Sequence, residues 1–158
     1  MFIRYYLELD LPVTEARRSL LADPSSWVPG IAREADDRTE RLLAEVGFVL
    51  GDTRRIAKEV AFRVGAPRTV HSTTILPISW GAEGRDRLFP QLDADIEIAP
   101  LGSHRTQLSI SARYRPPLGS LGQALDKALL HRVAEATIKD FLDRTGERIA
   151  STVRSGVG

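Results

Sequence analysis

The stretch Thr106-Gln107-Leu108-Ser109-Ile110-Ser111-Ala112-Arg113-Tyr114-Arg115-Pro116-Pro117 decides the fold. Thr106, Leu108, Ile110, Ala112 and Tyr114 alternate with Arg105, Gln107, Ser109, Ser111, Arg113 and Arg115. A period of two puts the first set on the buried face of a strand and the second in water. The proline pair ends that strand, since neither ring nitrogen can donate to a ladder. Beyond it, Ser120-Leu121-Gly122-Gln123 reads as a helix capping box, and from Leu121 to about Arg148 there is no proline. At a rise of ~1.5 Å per residue such a helix is on the order of 40 Å long, enough to cross a sheet. A one-sided sheet followed by a helix of that length predicts an α+β domain whose last element covers the apolar face.

The same alternation recurs upstream. Leu92, Ala94, Ile96 and Ile98 interleave with Asp93, Asp95 and Glu97, and Ile56, Lys58, Val60, Phe62 and Val64 with Arg55, Ala57, Glu59, Ala61 and Arg63. At the N-terminus Ile3, Tyr5, Leu7, Leu9 and Leu11 interleave with Arg4, Tyr6, Glu8 and Asp10. Less regular strands fit residues 40–50 and 68–80, which makes about six. Turn signals at Gly51-Asp52, Gly65-Ala66-Pro67, Gly81 to Gly84 and Pro100-Leu101-Gly102 separate them. Connections this short give an antiparallel meander, because a parallel pairing needs a longer crossover. The acidic face of 92–98 beside the basic face of 105–115 suits cross-strand ion pairs. After Pro12, residues 14–22 read as a short helix ended by Asp23-Pro24. Ser25 to Gly30 is a second helical scrap, followed by a polar stretch through Arg38. One domain over 1–150 and a loose tail over 151–158 follow.

This order is similar to the helix-grip fold of the START-related lipid-transfer, pollen-allergen and polyketide cyclase/dehydrase superfamily, SRPBCC. Pro12 through Gly30, with Asp23-Pro24 and Trp27-Val28-Pro29-Gly30, resembles the family's strand–helix–turn opening. Tyr114-Arg115-Pro116-Pro117-Leu118-Gly119 leading into Leu121-Gly122 resembles the last strand and helix start of its bacterial branch. The resemblance implies a curved antiparallel sheet wrapped around the C-terminal helix, enclosing a cavity for lipids, polyketides or other hydrophobic ligands. It implies no fixed catalytic set.

Composition narrows the alternatives. A chain of 158 residues, 42% hydrophobic and 27% charged, supports one buried core. Lys and Arg number 22 against 21 Asp and Glu, without the basic excess that binding to nucleic-acid phosphates needs. Without cysteine there is no disulfide, thiolate nucleophile or Cys-based metal site. Met1-Phe2-Ile3-Arg4-Tyr5-Tyr6 is broken by charge, and no run approaches a membrane span, so a cytoplasmic protein is expected. His71, His104 and His131 show no paired spacing, and no Gly-rich phosphate loop or GxSxG elbow occurs, so neither metal nor cofactor is expected.

What remains is a greasy pocket with a few polar groups, the usual lining of a small-molecule site. By parity Tyr5, Val60, Phe62, Ser72, Thr74, Trp80, Ile96, Ile110 and Tyr114 point inward from the strands, and Ile138 and Phe141 from the helix. Lys58, between Ile56 and Val60, is either an edge lysine with a buried stem or a cavity cation. On the helix, at about 100° per residue, Ala134, Ile138, Phe141, Leu142 and Ile149 share a sector. Assigning that sector to the sheet places Lys127 and His131 at the cavity mouth. Leu121, Leu125 and Leu129 then point away, toward the early helices, a second copy in a homodimer or a membrane surface, unless a kink near Arg132 returns both stripes to one core. Binding of a small hydrophobic molecule is the first reading. The second is a cyclase or dehydratase in which Tyr114, His131 or Lys58 acts as general acid or base. The third is a protein-interaction module with a vestigial cavity.

Overall fold

The structure, a computed structural model, describes residues 1–30, 32–36, 39–50, 54–81, 91–115 and 127–156, with the backbone alone for 32–59 and Lys127. The chain runs β1 (Phe2–Leu9), α1 (Val13–Leu20), a 3-10 turn (Pro24–Ser26), β2 (Ala32–Asp36), β3 (Thr39–Leu50) and β4 (Arg54–Val64). It continues through β5 (Arg68–Val70), β6 (Thr73–Gly81), β7 (Gln91–Pro100), β8 (Thr106–Arg115) and α2 (Lys127–Ser155). All strands lie in one antiparallel sheet of order β1-β8-β7-β6-β4-β3-β2, with β5 on β6. The expected meander is therefore present, and β1 returns to pair with β8.

Register places the inward residues in transverse rows. Phe62 faces Trp80, Trp80 faces Leu92, and Leu92 faces Tyr114. A second row runs Leu76, Ile96, Ile110, Tyr5. These rows, with Ala134, Ile138, Phe141, Leu142 and Ile149 of α2, form the buried core, against which the half-buried Tyr5 packs. On the outer face the acidic side of β7 is satisfied from three strands: Arg68 of β5 meets Asp95 at 3.0 Å, Arg4 of β1 meets Glu97 at 3.6 Å, and Arg115 of β8 meets Asp93 at 3.8 Å. Arg105 turns to Glu8 on β1, at 2.7 Å. Exposed pairs of this kind are worth about 0–1 kcal/mol each.

Three expectations need correction. The polar stretch after Gly30 contains strand β2, which pairs with β3 although Ala32-Arg33-Glu34-Ala35-Asp36 carries no apolar alternation. Residues 68–80 are two strands, because His71 and Ser72 turn the chain back with His71 at φ 54°, the left-handed region uncommon outside glycine. The C-terminal helix continues to Ser155, so most of the expected tail is helical. The capping box, Leu121 and Leu125 lie outside the described residues.

The junctions are held locally. Thr106 Oγ1 donates to the Leu11 carbonyl at 2.8 Å, fixing the end of β1 against the start of β8. Asp23 Oδ1 accepts from the Ser25 amide at 2.8 Å, with Pro24 at the first position of the 3-10 turn. In the middle of α2, Gly146 lets the helix press on β1: a Cβ there would lie 3.1 Å from Leu7 Cδ1 and 3.3 Å from Leu9 Cδ2.

Candidate ligand site between the sheet and the C-terminal helix

The helix does not lie evenly on the sheet. Its backbone comes close to β1 and β8 on one flank and to β3 on the other, while β4, β6 and β7 in the middle stand farther off. Large side chains occupy the gap. Phe62 from β4, Trp80 from β6 and Phe141 from α2 meet with ring centroids 5.0 to 6.4 Å apart. Trp27, on the segment after the 3-10 turn, approaches Phe62 edge-on at 6.2 Å. Aromatic contacts at these separations add to the burial of the rings.

Each expected site residue has a definite place. Val60, Phe62, Trp80, Ile96, Ile110, Tyr114, Ile138 and Phe141 are buried in the core. Burial pushes the Tyr114 phenol up to about 12, so it remains a neutral proton donor throughout the ordinary pH range. Tyr5 is half-buried and donates from its hydroxyl to Asp143 Oδ1 at 3.1 Å, with the Lys139 ammonium 5.4 Å from its ring centroid. That ammonium is held above its usual range by hydrogen bonding to Asp143 and then to Tyr5. Thr74 is buried, but its hydroxyl accepts from Arg17 Nε of α1 at 2.7 Å, so it closes the α1–β6 contact.

Ser72 is a further correction: the turn at His71-Ser72 leaves it exposed, because the parity counted from β6 stops at Thr73. His131 sits at the protein surface, with Nε2 3.0 Å from Glu135 and Nδ1 2.9 Å from Met1 Sδ. The side chains of Lys58 and Lys127 are outside the described residues, although the backbone of Lys58 faces Val46 across the β3–β4 ladder. Leu129 is 42% exposed, pointing away from the sheet as the sequence placed it.

Sequence reading missed Trp27, which is fully buried. A large aromatic immediately after an Asp-Pro turn is the one signal that could have found it. Trp27 and Trp80 share a second property: neither indole N–H has a hydrogen-bond partner, and the buried Ser19 and Thr145 hydroxyls are in the same condition. Among the described residues no cluster of His, Asp or Glu could hold a metal ion, and no helix is long and apolar enough to cross a membrane. Two larger open depressions, besides one of about 320 Å³ around Arg63, Trp80, Gly81 and Arg115, lie elsewhere among the described residues. One, of about 490 Å³, is on the outer face around Arg63, Ser79, Asp93 and Arg113. The other, of about 580 Å³, runs between the end of β1 and the last turns of α2.

A bent antiparallel sheet gripping a helix by its flanks, with a short helix and turn inserted after the first strand, is a helix-grip fold. Solved structures carry the same arrangement. The chain is similar to a conserved protein from Geobacillus kaustophilus, with a TM-score of 0.62 at 18% identity over 96% of this chain and 97% of that one. It is similar to norcoclaurine synthase from Thalictrum flavum in complex with dopamine and hydroxybenzaldehyde, at 0.61 and 13% over 98% and 87%. The Zhui aromatase/cyclase from Streptomyces sp. R1128 follows at 0.57 and 10% over 100% and 96%. Identities this low establish a shared fold and nothing about chemistry. No protein-family model and no curated protein sequence matches the chain.

Proposed function

We propose that this protein binds a small hydrophobic molecule in the space between the central strands and α2. The observation that carries the reading is the seating of the helix: its backbone meets the sheet's flanks, and over β4 and β6 the two are separated by the apolar rings of Phe62, Trp80 and Phe141. Mostly apolar walls with a few polar atoms are the usual form of such a site. The fold neighbours support it, since the norcoclaurine synthase structure held two small aromatic molecules. Native mass spectrometry of the freshly purified protein, and titration with a fluorescent fatty acid or polyaromatic probe, test it. A co-purified small molecule or micromolar probe binding is expected, and the absence of both refutes the reading.

A cyclase- or dehydratase-like activity is the second reading, favoured by one observation: Tyr114 is a buried phenol held neutral, as a general acid must be. It ranks below binding because His131, the other described acid–base candidate, is engaged at the surface by Glu135.

A further inference from the structure

We infer that two copies of this chain pair through the free edge of β1, antiparallel about a twofold axis at Tyr6. β1 ends the sheet and is bonded to β8 on one side only. Met1 and Tyr114 exchange both backbone bonds: the Met1 amine donates to the Tyr114 carbonyl at 3.0 Å, and the Tyr114 amide to the Met1 carbonyl at 2.8 Å. In an antiparallel ladder, bonded and non-bonded pairs alternate. Ile3, Tyr5, Leu7 and Leu9 therefore bond to β8, and Phe2, Arg4, Tyr6 and Glu8 turn their N–H and C=O groups outward. Among the described residues no other group bonds to these. An uncovered edge of this length is a template for another strand.

The side chains select a second copy as that strand. A twofold axis at Tyr6 sets Arg4 against Glu8 of the partner subunit, and Glu8 against the partner's Arg4, so opposite charges meet directly across the ladder. Arg4 and Glu8 already contact Glu97 and Arg105, yet their side chains stay 59% and 44% exposed, free to take a second ionic contact. Tyr6, exposed in the single chain, meets the partner's Tyr6 on the axis. On the inner face Tyr5 meets the partner's Leu7, and these are the two inward residues of β1 left half-buried. Moving the axis two residues either way opposes Arg4 to the partner's Arg4, or Glu8 to the partner's Glu8. The same patch serves both copies, so the pair closes on itself.

Sedimentation equilibrium of the native full-length chain from ~5 µM to ~0.5 mM tests this, with a monomer passing to a dimer of micromolar Kd expected. Tyr6→Pro removes an N–H that the single chain's ladder does not use. It should keep its urea midpoint within about 0.3 M and stay monomeric at every concentration. Arg4→Glu and Glu8→Arg should each weaken the dimer about tenfold, and the two together should restore it to within about threefold. Amide exchange at Arg4, Tyr6 and Glu8 should slow about tenfold or more in the dimer. A chain still monomeric at the highest concentration overturns the inference and leaves the edge to some other strand. A dimer that survives Tyr6→Pro, that the paired charge exchange does not restore, or whose three amides exchange as in the monomer, overturns it equally. Should Tyr6→Pro lose its fold, the charge exchange and the amides decide.

Discussion

Replacing Gly146 with alanine sets two effects of similar size against each other. In a helix interior the change gains about 1 kcal/mol of intrinsic propensity, because glycine loses more backbone freedom on folding. Against this, the new methyl would lie 3.1 Å from Leu7 Cδ1, 3.3 Å from Leu9 Cδ2 and 3.5 Å from Leu7 Cδ2. Ordinary carbon contacts are ~3.5–4.0 Å, so both leucine tips must give way. Overpacking of a tight site costs about 1–3 kcal/mol. The expected net result is a loss of about 1 kcal/mol, which at a urea m-value of ~2 kcal/mol/M moves the midpoint down by about 0.5 M. Leu7→Ala removes two of the three crowding atoms. In that background Gly146→Ala should turn stabilising by up to ~1 kcal/mol, a coupling of about 1–2 kcal/mol in the double-mutant cycle. Urea unfolding followed by tryptophan fluorescence measures all four proteins. If Gly146→Ala stabilises both backgrounds alike by ~1 kcal/mol, the helix does not press on β1 there and the reasoning fails.

Phe141→Ala should cost about 3–5 kcal/mol, since it empties the space between Phe62 and Trp80; a loss below ~1 kcal/mol would mean the ring is not packed as described. For Tyr114 the folded value of about 12 lies above the ordinary 10.0, so the unfolded chain loses its proton first. This contribution to stability is therefore intact below pH 10.0 and falls as pH rises through about 12, by at most ~3 kcal/mol, and Tyr114→Phe should remove that part of the alkaline limb in unfolding titrations. His71→Gly should stabilise by about 1 kcal/mol by releasing the left-handed backbone strain, and a destabilised variant would contradict the turn geometry. Leu129→Glu should change stability by no more than about 0.5 kcal/mol, as expected of an exposed position; a larger loss, or a change in oligomer mass, would indicate a partner on that face.

The strands that were easiest to read are those with one face in water. In β7 and β8 the inward positions from Leu92 to Ile98 and from Leu108 to Tyr114 are apolar and buried and the intervening ones are polar, so pattern and register agree, although Ser109, expected in water, is itself buried. β2 left no such trace. The polar Arg33 and Glu34 fall among small residues, and only its ladder with β3 identifies it as a strand. The turn after β5 was hidden because His71 occupies a conformation that Gly or Asn usually signals. For the site, parity correctly put Phe62, Trp80 and Tyr114 in the core. It could not show that Thr74 is tied up by Arg17, a contact between residues 57 apart in sequence. Nor could it place Trp27, whose burial depends on how the segment after α1 brings it to Phe62, far along the chain.

The seating of α2 on the flanks of the sheet has a mechanical consequence. A sheet whose backbone approaches a rod closely only at its two sides resembles a bow on its string, with the depth between them set by curvature and spanned here by the Phe62, Trp80 and Phe141 rings. Twist and coil of a β-sheet vary over a wide range without breaking ladder hydrogen bonds. Flexing of the sheet would change the depth over β4, β6 and β7, and with it the contact of Phe141 with Phe62 and Trp80, while Phe62, Trp80, Leu92 and Tyr114 keep their cross-strand partners. Sequence change in the lining then alters what fits without undoing the frame that holds it. A frame of this kind tolerates the 10–18% identities at which its fold neighbours still superimpose over nearly the whole chain.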